Sequence, residues 1–319
     1  MSFNGLKKGV RSAVSRSVPL TIAAFVADDL LARSGLADAN PAPAGHLSGA
    51  DVEADVAYAR SVASQYVANG VDHGRVAEIG PGGSAATALL LRSAGAVQVD
   101  LLDRFAFPHD PRRLAETYRR IAAEEPALRN VLGAADRIEG VDFHVGENAA
   151  AEQFFASRAR QFDAVCSCAV LEHVTDPLLV LRSATKALKA GGRQVHFVDF
   201  RDHGMFTLGG HHPLTFLTVP DAVYRHMAQR RGRPNRVLVD QYRAVLAELP
   251  LEWEIKVTSL LGTGPVPPAA YESLDAGARA RGEAMAGEIA DRLAPRYRSL
   301  APRDLAVEGI AITATKVGT

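Results

Sequence analysis

The sequence predicts an α/β fold: a doubly wound, seven-stranded sheet, mostly parallel with an antiparallel last strand, preceded by N-terminal helices and carrying an insertion after strand five. Three observations predict it. Between residues 75 and 200, short apolar runs alternate with helical segments, the pattern of βαβ units. These runs are apolar enough to be covered on both faces, as parallel strands are. The chain then ends on a further strand pair, Leu251–Leu260 and Val307–Val317, that completes the sheet.

Residues 1–70 read as an N-terminal helical segment. Lys7, Lys8, Arg11 and Arg16 precede the apolar stretch Val18–Ala27, which has the charge order of a secretory signal. Asp28 and Asp29 end the stretch without a small-residue cleavage pattern, and it is too short to span a bilayer. An amphipathic helix packed on the domain or on a second copy in a homodimer is the better expectation, with no stable membrane insertion. Residues 37–45 form a breaker-rich connector. From Asp51 to Asn69 apolar residues recur at helical spacing, and Gly70 closes that helix.

Residues 71–200 form the core. Strands are expected at Arg75–Ile79, Ala96–Leu102, Val141–Val145, Phe162–Ser167 and Arg193–Phe200. Helices are expected at Ser84–Ser93, Pro111–Glu124, Ala149–Ala159 and Pro177–Leu188. Asp176 and Pro177 make an N-cap and first turn, and Gly191-Gly192 ends the same helix. Residues 201–250 are an insertion, rich in His, Gly, Pro and Arg up to Asn235, followed by a helix over Val237–Leu249. In residues 251–319, a loop at 262–268 and a polar helix over Tyr271–Leu293 separate the last two strands.

Lys plus Arg and Asp plus Glu both number 36, so no global field attracts nucleic acid, and no nucleic-acid partner is expected. The run Arg225–Arg236 reads as a solvated basic loop. Cys166 and Cys168 stand two residues apart in a strand, which aims them the same way and rules against a mutual disulfide. Without a second pair they make no zinc site; buried thiols in a reducing, cytoplasmic compartment fit better, and no metal is expected.

Glu78-Ile79-Gly80-Pro81-Gly82-Gly83-Ser84 lies at a strand-to-helix turn, where a ligand can approach the backbone in front of a helix N-terminus. Alone, this signal is weak. A dinucleotide site fits it too, because Gly80-x-Gly82-x-x-Ala85 matches the degenerate fingerprint and Asp103 lies about 20 residues on. Further features shift the balance. Glu78 sits inside the end of the first strand, and Asp103 ends the second, where a carboxylate can accept both hydroxyls of a ribose. The segment Phe162–Val174 contains Ser167, Leu171, Glu172 and His173, and Leu188-Lys189-Ala190-Gly191-Gly192 follows.

In this order the motifs resemble those of the class I S-adenosylmethionine-dependent methyltransferases, over about Arg75 to Phe200. The resemblance implies a Rossmann-like core with S-adenosyl-L-methionine as cofactor. It implies that Glu78, Gly80 and Gly82 carry the amino acid part of the cofactor and that Asp103, with Arg104 beside it, holds the ribose. Glu147 and Asn148 take the adenine position, where the family usually has a Gly-Asp pair, and Ser167 lies beside the methionine portion. Ser84 departs from the pattern, since many members have a third glycine there.

Methyl transfer is an in-line displacement whose catalysis rests on alignment, and a base is needed only for an acceptor that arrives protonated. His173, Asp199, His203, Asp202, His211 and His212 are the candidates, and the last four are favoured, on a loop at the C-terminal edge of the sheet. His173 is expected to serve its own loop's hydrogen bonding and Glu172 to brace it, while Tyr224, Phe206 and Phe216 are residues that could line an acceptor pocket. The expected acceptor is a small molecule, methylated at O before N or C. Three rivals remain: an NAD(P)-dependent oxidoreductase, a non-catalytic cofactor-binding scaffold of the same fold, and another reaction of the same cofactor.

Overall fold

The computed structural model describes residues 14–34, 51–106, 110–128, 138–228 and 232–318. Lys7, Lys8, Arg11, the connector 37–45, Arg230 and Arg231 lie outside them. One sheet organises the chain. Its strands are β1 (Gly74–Ile79), β2 (Ala96–Asp103), β3 (Val141–Val145), β4 (Phe162–Cys168), β5 (Leu188–Asp199), β6 (Leu251–Leu260), β7 (Gly264–Ala269) and β8 (Val307–Lys316). Their order is β3-β2-β1-β4-β5-β8-β6-β7. The pairs among β1 to β5 are parallel, whereas β8 runs antiparallel between β5 and β6. The order reverses between β1 and β4, so the crevice at their C-terminal ends is the topological switch point.

The longer helices are α1 (Val18–Arg33), α2 (Val52–Ala68), α3 (Ala86–Ala94), α4 (Pro111–Glu124), α5 (Pro177–Ala187), α6 (Asp221–Ala228), α7 (Val239–Ala247) and α8 (Ala276–Gly287). Local chemistry sets their starts. Asp51 accepts from Ala54 N at 2.9 Å to open α2, and Asp176 does the same for α5 through Leu179 N at 2.9 Å, with Pro177 in the first turn. Alternate residues of each central strand feed two apolar layers. Val76, Val99, Ala164 and Val195 pack with α2 and α3 on one face; Ala77, Leu102, Val165 and Val198 pack with α5 and α7 on the other.

The structure corrects the element assignments in four places. The sheet has eight strands, because the proline-rich segment read as a loop is the edge strand β7, paired with β6. An edge tolerates Pro265, Pro267 and Pro268, since one side of the strand has no partner and its pairing with β6 is irregular between Val257 and Ser259. Gly191-Gly192 does not end α5. The helix stops at Ala187 and β5 starts at Leu188, with the glycines inside an irregularity where the β4 partner shifts from Phe162–Leu188 to Ala164–Arg193. The helix expected over Ala149–Ala159 shrinks to Ala151–Phe154 between 3-10 turns, as Ala150 is extended. Extended Leu274 and Leu293 likewise cut the Tyr271–Leu293 helix back to α8 and flanking turns.

The described N-terminal helix packs within its own chain: α1 lies against α6, and Phe25 is buried. Arg233 sits over the Phe25 ring at 4.5 Å and pairs with Asp28. Arg236 is buried as well, donating to Phe216 O at 3.0 Å, Val219 O at 2.7 Å and Asp221 at 2.5 Å. The run expected to be a solvated basic loop thus contains two internal anchors. Among the described residues no helix is long and apolar enough to cross a membrane.

Candidate functional site

The C-terminal ends of β1, β2 and β3 bring the expected cofactor residues together. Gly80 donates its N–H to Leu102 O at 2.8 Å, and Gly146 donates to Asp103 O at 3.0 Å, which lashes the three strand ends side by side. Gly80, Gly82 and Gly83 all take positive φ, at 71°, 67° and 82°, so the turn between β1 and α3 needs residues without a Cβ. At Gly80 space is also short: a Cβ there would stand 2.4 Å from a Val170 methyl. Ser84, the irregular member, caps the next turn by accepting from Ala86 N at 3.2 Å. The Tyr118 hydroxyl accepts from Ala85 N at 2.8 Å, a contribution from α4 that no motif announces.

Two carboxyl groups stand at the strand ends beside this turn. Glu78 is buried, and its Oε2 has no hydrogen-bond partner. Burial pushes its pKa up to about 8. Asp103 is pushed up to about 6 by burial, against the backbone N–H groups of Phe105 and Gly82, which favour its charged form. Its Oδ1 accepts from Phe105 N at 2.9 Å. Arg104 grips Glu147, with Nη2 to Oε2 at 2.9 Å, and reaches Thr175 Oγ1 at 3.3 Å. Glu147 and Asn148 stay exposed at the rim. An orphaned buried carboxylate oxygen beside a tight glycine turn fits the ammonium and carboxylate of an amino acid moiety, and Asp103 at the next strand end fits a ribose.

Ser167 lies at the end of β4 as the register partner of Ile79, with its side chain turned inward. It is fully buried, and its hydroxyl bonds His196 Nδ1 at 2.8 Å, continuing through Gln194 to Thr185. Burial pushes the His196 pKa down to about 3. Cys166 and Cys168 are free thiols, Cys166 buried and Cys168 half-buried. Burial raises both, Cys168 to about 12.

The four favoured candidate bases part company. Asp202 is 2% exposed, and each of its oxygens accepts two hydrogen bonds: from Gly204 N and Thr207 Oγ1, and from Phe206 N and Thr207 N, at 2.7–2.9 Å. Its acceptor sites are therefore filled by the loop it organises. His211 Nε2 bonds Ser15 O and His212 Nε2 bonds Met285 O, both at 3.0 Å, and neither lines the cavity that holds His203. His203 takes φ 50° and stands with its Nε2 3.6 Å from Asp199 Oδ2. Burial lowers its pKa, partly offset by Asp199. For Asp199 itself, burial opposes ionisation, but the Arg201 fork outweighs it and holds the carboxyl below the usual range.

Two cavities flank these residues. One, of about 420 Å³, is lined by Asp199, Arg201, His203, Leu214, Phe216 and Leu238 among others. The second, of about 410 Å³, is lined by Arg104, Phe105, His173, Thr175, Tyr224 and Arg233 among others. Phe216 and Tyr224 thus border one cavity each, while Phe206 belongs to the core. The rings of His173 and His203 meet edge to face at 4.7 Å where the two cavities approach each other. The loop carrying Glu172 and His173 is stapled by Asn235, which donates through Nδ2 to Leu171 O at 2.7 Å and Val174 O at 3.0 Å, and through its backbone to Glu172 O at 2.7 Å. That segment 61 residues away left no signal near the motif.

A family model described as a methyltransferase domain matches residues 50–242. No curated protein sequence matches the chain. Among solved structures it is similar to the YcgJ protein of Bacillus subtilis, at 15% identity over 82% of this chain and 100% of that one, with a TM-score of 0.42. It is similar to phosphoethanolamine N-methyltransferase 2 of Haemonchus contortus at 14% identity, covering 92% of this chain and 58% of that one, with a TM-score of 0.43. An S-adenosylmethionine-dependent methyltransferase of Mesorhizobium loti is similar at 15% identity over 79% of this chain and 96% of that one, with a TM-score of 0.42.

Proposed function

The chain belongs to the methyltransferase-domain family, and from that premise we propose that it moves a methyl group from S-adenosylmethionine to a small-molecule acceptor, at oxygen in preference to nitrogen or carbon. The observation that carries the reading is the convergence of Glu78, the Gly80–Gly83 turn and Asp103 at the switch point of the sheet. When bound, the cofactor supplies an electrophilic sulfonium methyl. The chain's own residues then have three tasks. Glu78 and the glycine turn hold the amino acid moiety, Asp103 accepts from the ribose hydroxyls, and Arg104 braces Glu147 at the outer rim. The cavities beyond Arg104 and around His203 give the acceptor its place, so that alignment supplies most of the rate. Of the candidate bases, Asp202 and His203 line a cavity; the acceptor sites of Asp202 are filled by its own loop, which leaves His203, whose pKa burial lowers.

Calorimetric titration with S-adenosylmethionine, S-adenosylhomocysteine and NADH tests this. The sulfonium pair should bind, and Asp103→Ala should weaken both by about ten- to a hundredfold, the loss of hydrogen bonds to a charged acceptor. Binding of NADH alone would restore the oxidoreductase reading. Unchanged affinity in Asp103→Ala would place the site elsewhere.

A further inference from the structure

We propose that Glu172, His173 and His203 form a binding site for a divalent transition-metal ion of the zinc class, at the junction of the two cavities. One donor atom from each residue lies within 4.8 Å of those of the other two. Two imidazoles and one carboxylate are a donor set that such ions accept, with bonds of about 2.0–2.2 Å and one or more positions left open. A second observation points the same way. Glu172 is 2% exposed, yet no side chain hydrogen-bonds either of its carboxylate oxygens, and only the backbone N–H groups of Glu172 and Asp199 come near enough to favour its charge. Buried carboxylates short of partners are costly, and a cation supplies what the protein does not.

The surroundings are built to hold these donors. His173 Nδ1 lies 2.6 Å from Gly232 O, a carbonyl that can only accept, so Nδ1 carries the proton and Nε2 keeps its lone pair. Orientation of a ligating histidine through its other nitrogen is the usual arrangement at metal centres. Asn235 fixes the backbone around Glu172 and His173, and the Asp202 cradle fixes the loop that presents His203. His203 is the most exposed of the three, so its side chain has the most room to adjust as the donors close to ligand spacing. His173 lines one cavity and His203 the other, so an ion here faces an acceptor entering from either. Its role toward the acceptor rests on the methyl-transfer reading: it would hold and polarise an acceptor oxygen, with His203 acting through the ion. The site itself does not depend on that reading.

The test uses the full chain without cofactor or acceptor. Titration with Co²⁺ should saturate at one ion per chain and raise visible ligand-field bands, which added Zn²⁺ then abolishes. Glu172→Gln, which keeps the shape of the side chain, and His203→Ala, on the loop, should each weaken binding tenfold or more. His73→Ala, at an exposed histidine beside Asp72, should leave it unchanged. Absence of the bands at millimolar Co²⁺, or a titration that neither variant alters, would overturn the proposal. Because no S-adenosylmethionine is present, that failure is separate from failure of the cofactor titration.

Discussion

Glu78 places a carboxyl group where water cannot hydrate its charge, and this single residue links stability to pH and to the cofactor. Its pKa stands at about 8 in the fold against an ordinary 4.5. A raised carboxyl pKa means that the fold favours the protonated form. Its contribution is whole below pH 4.5 and is lost as the pH rises toward 8, where the unfolded chain ionises and the fold does not. Glu78→Gln removes the titration. The variant and the parent should have equal stability near pH 4.5, and the variant should gain by a few kcal/mol, at most, above pH 8. Urea unfolding of the cofactor-free protein at several pH values measures it; a constant gap across that range would show that Glu78 does not titrate as described. The same substitution should weaken S-adenosylmethionine, because the amide cannot pair with an ammonium as a charge does. Asp202 teaches the opposite lesson: a residue chosen as a base for its chemistry spends that chemistry on four donors of its own loop.

Among the elements, the turn from β1 to α3 is the most constrained. Gly80 combines a positive φ with the Val170 side chain at its back, so Gly80→Ala meets two separate penalties. Left-handed backbone costs a non-glycine residue about 1–2 kcal/mol, and the overlap with Val170 adds a comparable amount. Denaturation should therefore show a loss of roughly 2–4 kcal/mol. Adding Val170→Ala should recover the steric part and leave the φ part. If the double variant recovers nothing, the contact with Val170 is not what the turn depends on. β7 shows how an element can hide in plain sequence. Its prolines signal a break in almost any context, but on an edge the strand needs hydrogen bonds on one side only, and β6 supplies them.

At the scale of the molecule, α1 ties the N-terminal segment to the insertion after β5 through Phe25, Arg233 and the Asp28 ion pair. Phe25→Ala should lower stability by about 3 kcal/mol, as loss of a buried ring does, and should loosen the wall of the cavity that Arg233 lines. Thermal unfolding of parent and variant measures the first; an unchanged midpoint would show that α1 contributes no packing. By itself, the sequence determined the alternation of strands and helices, the glycine turn, and the acids Glu78 and Asp103 at consecutive strand ends, because period and spacing are local properties that survive in one dimension. The eighth strand, the anchoring of His211 on Ser15 and His212 on Met285, the burial of Arg236, and the meeting of Glu172 and His173 with His203 were decided only by the tertiary structure. Each depends on partners far along the chain, whose positions follow from how the two apolar faces of the sheet are covered rather than from any spacing between residues.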